Sequence, residues 1–363
     1  MPKIRRIQAY PFRIPLRGAL RWGKSSELGA LEHLLLEVEL SDGSLGRAEF
    51  PPRPTIYGET LKGAQAALEY LRPLLLGREV DEPAVLQTLE AFPANWALRG
   101  SLEMALSEAR ARAQGHELSD EITPARDRVR VAYILGIAEG EELWRDAEWA
   151  YQRGIRVLKV KVGRNLEKDL QRIQALRQAF PEMELYADAN QTLTPEEAIR
   201  YLEAWASMGL RYVEEPLPIE EVTARQTLRQ AQILPIIADD SALTLRDLRR
   251  ELLLETFDVL NVKPARSGWT WSRVMQAMAR EQGKRIMVGS QALSSFGAWQ
   301  TALLAFEPGV EEPCELAFHI KAEGGFLEFP PFREGWLYWA ELSRARFDPQ
   351  AFREFCTSQD GLA

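Results

Sequence analysis

VRVAYILGI (129–137), RVLKVKV (156–162), MELYADA (183–189), LRYVEE (210–215), LPIIAD (234–239), FDVLNVK (257–263) and KRIMVGS (284–290) recur as short apolar runs, and CELAFHI (314–320) is a weaker eighth. Between them lie amphipathic stretches of helical period, such as LEKDLQRIQALRQAF (166–180) and PEEAIRYLEAWASMG (195–209). Eight strand–helix repeats at this spacing predict an α/β chain closed into a (β/α)8, TIM-type barrel. A doubly wound open sheet is the rival. It is disfavoured because no run is followed by a GxGxxG or GxxxxGK(S/T) phosphate loop.

Upstream the pattern is α+β. Residues 3–14 alternate as a strand, and LEHLLLEVEL (31–40) with SLGRAEF (44–50) read as a hairpin turned at Ser41-Asp42-Gly43. Helical patterns follow at about 59–75 and 97–114. The polar, proline-containing HELSDEITPARDR (116–128) marks a boundary. The expected division is an N-terminal α+β domain over 1–124, a barrel over 125–325, and an aromatic C-terminal segment over 326–363 that packs back on the N-terminal domain.

The chain has 363 residues, 46% hydrophobic and 27% charged, ordinary for a globular protein, with a net charge of −8. No basic patch stands out, which argues against a nucleic-acid partner. No apolar run is long enough to cross a membrane, and the charged start MPKIRRIQAYPFRIPL lacks the apolar core of a secretion signal. Cys314 and Cys356 are far apart and form no zinc pattern, so a reducing cytoplasm is expected. The three histidines, His33, His116 and His319, are read as packing or surface residues.

The chemistry sits where the predicted strands end, the face on which such barrels carry catalytic groups. There stand Lys159 and Lys161, Asp188 and Asn190, Glu214 and Glu215, Asp239 and Asp240, and Lys263. From Asp188 to Glu214 to Asp239 to Lys263 the steps are about 25 residues, one βα unit each, so the groups converge on one mouth. Three clustered carboxylates repel one another, and a divalent cation relieves that repulsion. Oxygen-only ligands favour a hard ion, Mg²⁺ or Mn²⁺. Lys159 and Lys161 are two apart on one strand and face the same side, where mutual repulsion and burial are expected to lower a lysine pKa and make a base. Lys263 enters from the opposite side. Two lysines flanking a metal suit proton abstraction beside a carboxylate.

At these residues the chain resembles the enolase superfamily, specifically its muconate-lactonising-enzyme group. The matching motifs are LKVKVGR, DANQ, VEEP, ADDS and NVKP, and the likeness extends over the whole chain. The resemblance implies that residues 1–124 form a capping domain, and PPRPTIYGET (51–60), with Tyr57, is similar to a loop that closes over substrate. It implies Asp188, Glu214 and Asp239 as metal ligands and Lys161 and Lys263 as the acid/base pair. Lys159 becomes an electrostatic helper, and Asn190 and Asp240 become supports behind the ligands. Glu315 resembles the eighth-strand acidic residue of the group.

The implied activity is that of a metal-dependent isomerase, a racemase, epimerase or cycloisomerase. It would remove the proton α to a carboxylate through a metal-stabilised enolate, in a homo-oligomer acting on a small carboxylate. The alternatives are an o-succinylbenzoate synthase-type dehydratase and a barrel that binds ligand without chemistry. Two departures leave the substrate open. The Asp-x-Asp that dipeptide epimerases of the group carry after the eighth strand is absent from CELAFHIKAEGG. GSQALSSFG, with Ser290 as a candidate contact, has Leu293 where many relatives have glutamate. The basic stretch RGALRWGKSSE (17–27) is read as an active-site loop, with Arg17, Arg21 and Lys24 meeting an anionic substrate and Trp22 as an apolar wall.

Overall fold

The computed structural model describes residues 1–356, so residues 357–363 of the C-terminal segment lie outside the described residues. The chain opens with β1 (Ile4–Trp22), β2 (Ser26–Leu40) and β3 (Leu45–Phe50), an antiparallel sheet in that order. The helices α1 (Pro54–Tyr57), α2 (Leu61–Leu75), α3 (Pro83–Ala91) and α4 (Trp96–Ala113) follow. The glycine at 46 lets α4 lie close on β3: a Cβ there would collide with the backbone of Ala105 and Ala109.

β4 (Arg128–Arg130) leads into the barrel, which comprises β5 (Ala132–Leu135), α5 (Gly140–Gln152), β6 (Val157–Lys161), α6 (Leu166–Ala179), β7 (Glu184–Asp188), α7 (Pro195–Ser207), β8 (Val213–Glu214), α8 (Val222–Gln230), β9 (Ile236–Ala238), α9 (Leu245–Leu254), β10 (Val259–Val262), α10 (Pro264–Ser267), α11 (Trp269–Glu281), β11 (Arg285–Val288) and α12 (Ser295–Leu304). β12 (Trp336–Tyr338), α13 (Trp339–Leu342) and α14 (Pro349–Phe355) complete the chain, and β12 returns to pair antiparallel with β4. Helices start promptly after the strand ends because the turns supply caps. Thr194 with Glu197 forms a capping box on α7, Thr244 with Asp247 does so on α9, and Asn165 caps α6.

β5 to β11 form one parallel sheet in sequence order. Its inward-facing bottom layer is Ala132, Val157, Tyr186, Tyr212, Ile237, Val259 and Met287, all buried in one cluster. Two residues further along β6 to β10 stand Lys159, Asp188, Glu214, Asp239 and Asn261. Strand period places an apolar floor and a polar layer on the same inner face.

Two expectations need correction. The weak eighth run forms no regular strand. Residues 310–316 close the gap between β11 and β5 through single bridges, Ile286 with Val310 and Val131 with Cys314. The amides of Cys314 and Glu315 donate to Arg130 O (2.8 Å) and Val288 O (2.9 Å). Pro313 has no amide to extend the ladder, and Leu316 N turns back to Cys314 O at 2.9 Å, after which the chain enters a 3-10 turn at Phe318–Lys321. Residues 17–27 are not an open loop either. β1 runs on to Trp22 and β2 begins at Ser26, with the register shift between Pro15 and Leu20 accommodated by Gly18 at φ 81°.

The N-terminal sheet, the C-terminal segment and the barrel share an aromatic cluster. Phe326 packs on Phe12 of β1 (5.1 Å between ring centres) and on Phe352 (5.0 Å), and Phe347 packs on Phe296 of α12 (5.0 Å). Carboxylates of the N-terminal part also cap barrel helices. Glu49 accepts from Ser294 N and Gly297 N at the start of α12, and Glu103 accepts from Trp269 N and Thr270 N at the start of α11. Among the described residues no helix is long and apolar enough to cross a membrane.

Candidate active site

The polar layer gathers Asp188, Glu214 and Asp239 at the ends of adjacent strands, all buried. Three lysines supply positive charge among them. Lys159 Nζ lies 2.9 Å from Asp188 Oδ2 and donates to Glu214 Oε1 and Glu315 Oε1 at 2.6 Å each. Lys161 Nζ donates to Asp188 Oδ2 (2.6 Å) and Asn190 Oδ1 (3.0 Å). Lys263 Nζ donates to Asp239 Oδ2. Arg266 holds Asp239 from behind, donating to its backbone oxygen at 2.7 Å, and donates to Asp240 Oδ1 at 3.0 Å.

The carboxylates do not share one proton affinity. Burial pushes Asp188 up, but Lys159 and Lys161 outweigh it and hold the carboxyl at about 2. Asp239 is held low against burial by Lys263 and Arg266. Glu214 goes the other way: burial raises it well above the usual range, Lys159 offsets only part, and Asp188, Glu315 and Asp239 add repulsion. Among the described residues its buried Oε2 has no hydrogen-bond partner. Among the described residues no three carboxylate, histidine or cysteine groups form a finished coordination shell, because the ammonium groups engage the oxygens. The residues nevertheless fit a hard divalent ion. Three carboxylates from neighbouring strands supply oxygen donors, and the most strained of them has a buried oxygen without a partner.

One cavity collects eight of the residues singled out from the sequence, with Asp188 and Glu214 outside its lining. It is lined by Trp22, Lys159, Lys161, Asn190, Asp239, Asp240, Lys263 and Ser290. The remainder of the lining is Leu20, Arg53, Ile56, Ile134, Gln291 and Ala292.

The other expected residues are placed differently. Arg21 turns away from the cavity, bonding Glu27 at 3.0 Å and both oxygens of Glu142 at 3.0 Å. Lys24 is exposed at the hairpin turn, and Arg17 stacks 4.2 Å from the ring centre of Trp149. None of the three lines the cavity; for Arg21, strand alternation directs it to the face opposite its neighbour Trp22. Tyr57 reaches Gln291 Oε1 at 3.4 Å rather than the cavity. Glu315 lies beneath the cavity, accepting from Lys159, from Asn261 Nδ2 (3.1 Å) and from Ser290 N (3.0 Å). It supports the lysine and is not a wall for substrate. The expected lowering of a lysine pKa is also reversed at Lys159. Burial pulls it down, yet Asp188, Glu214 and Glu315 raise it well above normal, so Lys159 is a fixed cation.

Sequence reasoning missed Arg53, Gln291, Asn261 and Arg266. Arg266 carried a readable signal, since it stands three residues past Lys263 in NVKPAR. Arg53 and Gln291 lie in PPRPTIYGET and GSQALSSFG, segments the resemblance had drawn attention to, but without period nothing marked these two residues within them.

Comparison with known proteins places the fold in a family. The model of the enolase C-terminal domain-like family matches residues 142–337. The L-Ala-D/L-Glu epimerase of Bacillus subtilis is 29% identical over 84% of this chain and 85% of its own length. The N-succinylamino acid racemase of Thermus thermophilus is 29% identical over 86% of each. The muconate lactonizing enzyme of Mucobacterium Smegmatis, solved with muconolactone, superposes with a TM-score of 0.90 at 30% identity over 98% of this chain and all of its own. With barrel, strand-end carboxylates and flanking lysines in place, this chain belongs to the enolase C-terminal domain-like family, in the muconate-lactonising-enzyme group of the enolase superfamily, and is a divalent-metal-dependent isomerase.

Proposed function

We propose that the protein racemises or epimerises a small N-acylated amino acid by moving the proton α to its carboxylate, with Lys161 and Lys263 as the two proton carriers. The observation that carries this reading is their placement. Lys161 ends β6 and Lys263 follows β10, the three carboxylate-bearing strands lie between them, and both lysines line the same cavity. A proton can then leave one face of a substrate carbon to one lysine and return on the other face from the second. Asp188, Glu214 and Asp239 would hold the ion, Mg²⁺ in this reading. It would offset the charge that develops on the substrate carboxylate. Lys159, locked by three carboxylates, keeps a permanent positive charge in the floor. Asn190 steadies Lys161, and Arg266 with Asp240 steadies Asp239.

Among the described residues no carboxylate lining the cavity is without a cation, which supports an N-acyl group over a free ammonium. Asp240 is bonded by Arg266 and Asp239 by Lys263 and Arg266, while Asp188, Glu214 and Glu315 do not line the cavity. The racemase among the relatives, named for N-succinylamino acids, supports the same choice. Cycloisomerisation is the second reading, favoured by the 30% identity to the muconate lactonizing enzyme. The division at 124/125 and 325/326, self-association into a homo-oligomer and a cytoplasmic setting belong to the same proposal. Two unpaired thiols, Cys314 and Cys356, support the reducing compartment.

The test is proton exchange in D2O, followed by NMR on paired stereoisomers of N-acylamino acids, with cis,cis-muconate as comparator. Exchange should vanish on exhaustive chelation and return with Mg²⁺. Undiminished exchange in verified metal-free protein, or no exchange with any α-carboxylate, defeats the proposal.

A further inference from the structure

A second cavity, of about 620 Å³, lies where the N-terminal domain meets the barrel. Its lining comes from the end of α3 and the start of α4 on one side and from the first turns of α9 and α11 on the other, and it shares no residue with the lining of the catalytic cavity. The volume is that of a small-molecule site. Arg99, Arg246, Arg249 and Arg266 all line it. Arg266 is engaged by Asp239 and Asp240. The other three have no carboxylate within ion-pair distance among the described residues. The acids of α9 are taken elsewhere, Asp247 by Arg250, and Glu251 by Arg250 and Arg225. Among the described residues Glu90 is the one acid in the lining, and it accepts from Trp271 Nε1 at 2.9 Å.

Arg99 is fixed in this cleft. Its Nη1 donates to Phe92 O at 2.8 Å, and its guanidinium carbon lies 4.9 Å from the ring centre of Trp96 and 5.8 Å from that of Trp271. Among the described residues its buried Nε has no acceptor. Arg246 and Arg249 are three apart on α9 and share a face. Arg246 sits in the first turn of α9, where the positive end of the helix disfavours a cation, so helix stability does not explain it. Three guanidinium charges less the Glu90 carboxylate leave a net charge of +2 on the lining. Trp96, Trp271, Leu243, Leu245 and Met275 supply an apolar surface beside that charge.

We propose that this cleft binds a phosphomonoester with a flat apolar body, an aryl or nucleoside monophosphate, at a site separate from the one where protons move. A phosphomonoester is close to a dianion at neutral pH, which matches the charge of the lining. Guanidinium forks fit its terminal oxygens, and the indoles offer a surface for the body. Arg266 lines this cleft and donates to Asp239 O at 2.7 Å, so it is a direct contact between the two cavities. The inference does not depend on the proton-transfer reading.

The experiment is calorimetric titration of the Mg²⁺-loaded protein with phenyl phosphate and with adenosine 5′-monophosphate, each against its neutral parent, phenol or adenosine. Wild type should bind at least one of the phosphates at least about tenfold more tightly than its parent, the scale of one charge-assisted hydrogen bond. The phosphate that binds more tightly identifies the body. The double variant Arg246→Gln, Arg249→Gln should lose that affinity by at least about tenfold while its melting temperature stays that of wild type. Replacing both by lysine should restore part of it. A phosphate held instead by the metal or the catalytic lysines keeps its affinity in the double glutamine variant, and that result overturns the proposal. No binding of either phosphate, or affinities equal to those of the neutral parents, overturns it as well. If the double glutamine variant does not fold, Arg249→Gln alone is read against the same criterion.

Discussion

Replacing Glu49 by alanine should destabilise the protein by about 4 kcal/mol. The carboxylate belongs to β3, is fully buried, and accepts from four donors on two parts of the molecule. His33 Nδ1 lies at 2.5 Å, Ser294 N at 3.0 Å, Ser294 Oγ at 2.5 Å and Gly297 N at 3.1 Å. The hydroxyl can rotate to another acceptor after truncation, but the two amides and the imidazole cannot. A buried donor without an acceptor costs roughly 1–3 kcal/mol, so three give about 4 kcal/mol at the lower end of that range. Water entering the new space would return part, which sets a floor of about 2 kcal/mol.

For a chain of this size each kcal/mol shifts the midpoint by about 1.3 °C, so scanning calorimetry should show a fall of roughly 5 °C. Glu49→Gln, which keeps the shape and one acceptor oxygen, should fall between the two. The effect should also reach the site. Ser294 ends the segment carrying Ser290, Gln291 and Ala292, which line the cavity, so turnover should drop more than metal affinity does. A Glu49→Ala protein within about 1 kcal/mol of wild type in urea titration, with an unchanged slope, would refute the assignment of Glu49 as the clamp between sheet and barrel.

The lysines give a second prediction. Lys161→Ala and Lys263→Ala should each stop racemisation and reduce α-proton exchange of opposite stereoisomers by roughly a thousandfold, while two folded variants with near wild-type exchange would remove both from the mechanism. Acid stability gives a third. Burial holds His319 down to about 3, so the unfolded chain takes up its proton first, near 6.5, and stability should fall as pH drops from 6.5 toward 3. His33 is lowered by burial in the same direction. Urea midpoints measured from pH 7 to pH 4 should fall less steeply in His319→Phe, and an unchanged slope excludes the histidine. Gly46→Ala should separate β3 from α4 at a cost of about 2 kcal/mol, because the added carbon meets backbone at Ala105 and Ala109. An unaltered melting temperature would show that the sheet and helix can part without loss.

The amino-acid sequence by itself determined the barrel and which charged residues share one layer at its strand ends. Both rest on local periods. A period of 2 along RVLKVKV and MELYADA places Lys159, Lys161 and Asp188 on the face of the apolar floor, and repetition of that unit brings Glu214, Asp239 and Lys263 to the same end. What lies around that layer was settled by contacts remote in sequence. Arg21 and Arg53 are both basic residues in the N-terminal part, and nothing local separates them. Arg21 finds Glu142, 121 positions on, and leaves the site. Arg53 finds the carbonyls of Gln291 and Ala292, 238 and 239 positions on, and is locked into the cavity. Glu315 likewise acquires its partner Lys159 only when the chain closes the barrel without a regular eighth strand, 156 positions away. A side chain's partner across such distances depends on which surfaces the packed core brings together, and that is a property of the tertiary structure alone.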